Sequence, residues 1–142
     1  MDHIIVPLDT SEVSARALTA ASQIAGAFGS KVTLLIVLDT AVQNGLRDVA
    51  DSENTTIERA AESYLGPIVA DLRGQSVDVD TKIVDASDPA SVITDTADAL
   101  SADLIVMCTH GRTGPGRWLL GSVTDRVMRS TRVPVHVLPV RT

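Results

Sequence analysis

Short apolar runs alternate with longer amphipathic stretches along the chain, the pattern of strands and helices stacked as βα units on a parallel sheet. Five runs rich in Val, Ile and Leu read as strands: Ile4–Leu8, Lys31–Leu38, Val77–Val84, Asp103–Cys108 and Val135–Val140. Ile4-Ile5-Val6 and Leu104-Ile105-Val106-Met107 are apolar at every position, so both strands are expected to be covered on both faces.

Helical spacing fills the intervals. Leu18, Ala21, Ala25 and Phe28 form one stripe of a helix from about Ser11 to Phe28, with Thr10 or Ser11 as N-cap and Gly29 as the stop. Ile57, Ala61, Tyr64, Leu65, Ile68 and Leu72 define a second over Ser52–Arg73, which Gly66-Pro67 should kink. Asp88-Pro89 gives a third its cap and first-turn proline, with Ile93, Ala97 and Leu100 inward. A fourth begins near Ser122, where Ser122 and Asp125 have capping-box spacing, and ends before Pro134. Asp39–Asp51 and Thr109–Leu120 lack strong periodicity and are expected as loops at the C-terminal edge of the sheet, where such folds bind ligands.

The length, 142 residues, suits one domain over 1–142. No apolar run approaches the roughly 20 residues of a spanning helix, so a soluble protein without membrane contact is expected. Met1-Asp2-His3 leads directly into the first strand with no basic region or cleavage site, and the lone cysteine, Cys108, excludes an internal disulfide; both fit the cytoplasm. A net charge of −6, with Phe28, Tyr64 and Trp118 as the whole aromatic set, argues against nucleic-acid binding. His3, His110 and His136 show no metal-ligand spacing: His110 reads as a loop residue and the other two as structural.

The chemistry concentrates in Cys108–Ser122, which carries Gly111, Gly114, Gly116 and Gly121 between a buried strand and a helix start. Glycines let backbone amides approach an anion, and a helix N-terminus adds its own amides and the positive end of its dipole. Gly121, Ser122 and the side chains of Arg112 and Arg117 are the candidate phosphate contacts. A long surface loop with Ser122 as a plain cap has the same composition, and both readings stand at this point. Gly116-x4-Gly121-Ser122 lacks the lysine of a P-loop, and Gly111-x2-Gly114-x-Gly116 is not the dinucleotide fingerprint.

Gly111, nine residues, then Gly121-Ser122 resembles the G-x2-G-x9-G-[S/T] pattern of ATP-binding members of the universal stress protein family, with Cys108 where the pattern has its first glycine. The resemblance extends over Val6-Pro7-Leu8-Asp9-x-Ser11, Asp88-Pro89, Ala102–Met107 and Val133-Pro134-Val135, most of the chain. It implies an α/β fold, an open five-stranded parallel sheet in the order 3-2-1-4-5 with helices on both faces, Rossmann-like. Strands one and four then meet at the topological switch point. It further implies an ATP site made by Pro7, Asp9, Val37, Met107, Gly111, Arg112, Gly114, Gly121, Ser122 and Val123, with Val37 meeting adenine through its backbone. Asp9 would lie near the ribose or a Mg²⁺ or Mn²⁺ ion; a strand-end aspartate beside Ser11 is the alternative. Cys108 would narrow the approach to the nucleotide, or sit as a buried thiol.

The same resemblance implies a symmetric homodimer through the last strand, Val135 to Val140. The functional expectation is therefore a regulatory nucleotide-binding stress-response protein with no catalytic residue and slow ATP hydrolysis at most. A nucleotide-free dimeric signalling or structural module of the same fold is the alternative. An ATP-dependent transferase is disfavoured, since neither a second substrate domain nor an activated nucleophile is present.

Overall fold

The computed structural model describes residues 1–109 and 121–139. In chain order the elements are β1 (His3–Pro7), α1 (Glu12–Ala15), α2 (Ala17–Phe28), β2 (Lys31–Val37), α3 (Thr40–Ser52), α4 (Ile57–Gly74), β3 (Asp78–Val84), α5 (Pro89–Ala99), β4 (Leu104–Cys108), α6 (Ser122–Ser130) and β5 (Val135–Leu138). The five strands form one parallel sheet in the order β3-β2-β1-β4-β5, as expected. β1 lies in the middle, and the order reverses between β1 and β4.

Alternation along each strand divides the core into two layers. Ile4, Val6, Leu34, Ile36, Leu104 and Val106 face one layer, which continues into α2, α3 and α4. Ile5, Leu35, Ile105 and Met107 face the other, closed by Ala90, Ile93 and Ala97 of α5 and Val127 of α6. Ile4, Ile5, Val6 and Ile105 are fully buried, each contributing about 1.5–3 kcal/mol relative to exposure. On α2 the buried face is Ala17, Ala21 and Ala25, so helix and sheet approach closely.

Five expectations change. The segment Asp39–Asp51 is a helix, α3, not a loop: Val42, Leu46 and Ala50 are buried at four-residue spacing, and Asp39 caps it. The first helix is interrupted, α1 ending with Arg16 as its C-cap before α2 begins, and Phe28 points outward at 62% exposure. The helix expected from Ser52 starts at Ile57, because the Thr56 hydroxyl accepts from the Arg59 amide. It runs on through Pro67 to Gly74. The capping box at Ser122 does not form: Gly121 is the N-cap, and the Asp125 carboxylate accepts from Arg129 instead. Gly29 does end α2, in the left-handed conformation (φ 67°) that glycine adopts without a β-carbon penalty.

Candidate functional site

Beyond β1 the chain turns sharply, and a closed set of hydrogen bonds holds the turn. The Ser11 amide donates to Asp9 Oδ1 at 3.0 Å, and the Ser11 hydroxyl donates to the same oxygen. That hydroxyl also accepts the Ser14 amide at 3.1 Å, capping α1. The Ser14 hydroxyl donates to the Ser11 carbonyl at 3.1 Å and accepts the Asp9 amide at 3.2 Å. Thr10, between them, has φ 70°, a left-handed conformation that is uncommon for a β-branched residue.

The end of β2 is built differently. The Leu38 amide donates to the Val84 carbonyl at 2.7 Å, and Gln43 Nε2 donates to the Leu38 carbonyl at 2.8 Å. The Asp39 amide bonds back to the Val37 carbonyl at 2.9 Å, while Asp39 Oδ1 accepts the Val42 amide at 2.9 Å. The strand thus passes directly into α3, with the aspartate itself as the cap.

On the other layer, α5 and α6 lean together through a fork between Asp88 and Arg126. Arg126 donates from Nη1 to Oδ1 at 2.7 Å and from Nη2 to Oδ2 at 3.0 Å, and the Ser91 hydroxyl donates to Oδ2 at 2.7 Å. The guanidinium first, and the hydroxyl second, hold the Asp88 carboxyl far below the usual carboxylate range. Asp88, so engaged, makes no side-chain cap on α5, although Pro89 occupies the first turn as expected. Gly121, the N-cap of α6, makes no side-chain cap, and among the described residues none caps the first turn, so its amides face the C-terminal edge of the sheet. The Thr124 hydroxyl reaches the Cys108 carbonyl at 3.4 Å, tying α6 to the end of β4.

These ends enclose a crevice of about 290 Å³, near the lower end of the range for small-molecule sites. Pro7, Asp9, Val37 and Met107 line it from the strand ends, and Gly121, Ser122 and Val123 from the head of α6. Seven of the residues expected from sequence are thereby brought together. Gly111, Arg112 and Gly114 lie outside the described residues, as do His110, Arg117 and Trp118. Sequence reasoning missed Asp39, Ala41 and Val42, which enter the same crevice from the start of α3. The Asp39 N-cap and the Val42, Leu46, Ala50 spacing were the available signal.

Cys108 also lines the crevice, but its position on β4 places it with Leu104 and Val106 in the layer beneath α2, opposite Met107. Burial pushes its thiol up from the ordinary value, against the opposing pull of the Ala17 amide and the Arg16 charge. It is a packed neutral thiol rather than a nucleophile. Among the described residues no three His, Cys, Asp or Glu side chains converge as a metal site. His3 is occupied by a 2.6 Å contact between its Nε2 and Thr33 Oγ1.

Residues 1–139 match the model of the universal stress protein family. The chain belongs to that family. A universal stress protein of Methanocaldococcus jannaschii, MJ0531, is 33% identical over 137 residues, covering 95% of this chain and 80% of the relative. Among solved structures, the protein MJ0577 superimposes with a TM-score of 0.80 at 26% identity, covering 99% of this chain and 97% of that one. A universal stress protein from Archaeoglobus fulgidus, solved in complex with dAMP, gives a TM-score of 0.71 at 21% identity, covering 96% and 97%. This universal stress protein thus shares its fold with a relative solved with an adenine nucleotide bound. No helix among its described residues is long and apolar enough to cross a membrane.

Proposed function

We propose that this universal stress protein is a cytoplasmic regulatory protein that binds ATP in the switch-point crevice and acts as a homodimer, one such domain accounting for residues 1–142. The observation that carries the reading is the run of the crevice from the Asp9 turn to the uncapped head of α6. Amides there match the negative charge of phosphates, Arg112 and Arg117 precede them in sequence among the glycines, and Asp9 supplies a carboxylate for the ribose or for a Mg²⁺ or Mn²⁺ ion carried by the phosphates. A metal held between phosphates and one carboxylate needs no cluster of protein ligands. Gly111, Arg112 and Gly114 complete the phosphate loop in this proposal.

The dimer proposal rests on the sheet edge. Among the described residues β5 pairs with β4 only, and Val135, Val137 and Leu138 are half-buried along it, whereas the opposite edge, β3, exposes Asp78, Asp80 and Lys82. Charges protect one edge from pairing, and the other is left suited to a second copy through Val135 to Val140. ATP hydrolysis, if measured, is expected to be slow, since no general base is assigned beside the phosphates.

Denaturing the purified protein and chromatographing the supernatant should release adenine nucleotide, and Mg-ATP should titrate the emptied protein. Gly121→Val, or Gly111→Val combined with Ser122→Ala, should abolish retention while the circular dichroism spectrum and dimer mass stay unchanged. ATP binding that survives both variants would refute the site; an empty supernatant with no Mg-ATP titration would favour the nucleotide-free module.

A further inference from the structure

Resting on the nucleotide reading, we propose that Asp39 selects the base: its Oδ2 accepts a hydrogen bond from the exocyclic amine of adenine. The argument starts from the sheet. β2 and β4 flank β1, so their ends stand two strand spacings apart, about 10 Å. A nucleotide whose phosphates lie at the head of α6, beside β4, directs its base toward the end of β2.

The wall there is made by Leu35, Val37, Ala41 and Val42, apolar side chains suited to the faces of a purine, together with the Asp39 carboxylate. Asp39 is fixed rather than mobile. Its Oδ1 is spent on the Val42 amide, and its own amide on the Val37 carbonyl. Oδ2 makes no hydrogen bond to any described residue, although Asp39 lines the crevice.

A carboxylate oxygen only accepts, so whatever meets Oδ2 must donate. The amine at position 6 of adenine does so; the carbonyl of hypoxanthine sets lone pairs against a negative charge. A site that spends a fixed acceptor on one donor discriminates by the unpaired group left when that donor is missing. The same aspartate thus holds the helix with one oxygen and reads the base with the other.

Capping and base reading separate cleanly, because asparagine caps a helix as well as aspartate but can donate as well as accept. ATP, ITP and purine riboside triphosphate, which lacks the amine, are titrated by calorimetry against the full chain and against Asp39→Asn. The wild-type protein should bind ATP at least about tenfold more tightly than either analogue. In Asp39→Asn, at unchanged melting temperature, the preference over ITP should shrink to within about threefold, mainly by gain of ITP binding. Equal wild-type affinity for the three triphosphates, or a ratio unmoved in Asp39→Asn, overturns base selection while leaving nucleotide binding standing. Failure of all three to bind the wild-type protein overturns the nucleotide reading and base selection together.

Discussion

Leu8-Asp9-Thr10 and Leu38-Asp39-Thr40 are the same three residues at the ends of neighbouring parallel strands, yet they fold differently. Asp39 caps its helix at once, with Thr40 already in the first turn. Asp9 instead accepts from Ser11, Thr10 flips to φ 70°, and Ser11 becomes the cap. The residue two places on decides: Ser11 offers a hydroxyl that both receives from Ser14 and gives to Asp9, and Ala41 offers nothing. The helix after β1 therefore starts two residues later, and Asp9 stands in a rigid turn on the crevice wall. Local hydrogen-bonding chemistry, not strand position, sets what an aspartate at a strand end is used for.

Several substitutions test that contrast. Opening the β1 turn at both corners, with Ser11→Ala and Ser14→Ala together, should lower stability most, by roughly 3 kcal/mol in urea melts, since a cap and a charge-assisted bond are lost. A loss under about 1 kcal/mol would mean the two turns are held alike. Asp39→Ala should cost about 1 kcal/mol, the value of one cap, and Asp39→Ser a few tenths. Thr10→Asn should raise stability by up to about 1 kcal/mol because asparagine tolerates the left-handed region; Thr40→Asn, in a helix, should not.

The smallest effect concerns a third helix-head aspartate, Asp88, whose carboxylate is given over to Arg126 rather than to a side-chain cap. Its folded-state value lies below its unfolded one, so its contribution is present above the ordinary carboxylate range and fades as pH falls through the folded value. Asp88→Asn should therefore flatten the acid-side loss of thermal stability, read as melting temperature from pH 5 downward. An unchanged acid profile would mean the fork adds nothing on this exposed surface.

The strands were legible because all-apolar runs such as Ile4-Ile5-Val6 have few other uses in a chain of this size. α3 was not, since Asn44 and Gly45 break its pattern and its buried stripe is only Val42, Leu46 and Ala50. The crevice was legible at the strand ends, where Pro7, Asp9, Val37 and Met107 line it, and at Gly121, Ser122 and Val123. It was missed at Asp39, whose placement depends on a helix signalled only by the cap itself and that short stripe. The failed capping box has a similar origin: Asp125 has a better partner in Arg129, one turn on, than in the backbone behind it.

The alanine stripe of α2 has one more consequence. Ala17, Ala21 and Ala25 have almost nothing to trim, so ordinary cavity-making changes barely apply to this face. Its vulnerability runs toward growth: a single added isobutyl group would wedge the helix off the strands that carry Asp9 and Met107. Sequence drift at these three sites should be confined to residues no larger than serine, a ceiling on size with no matching floor.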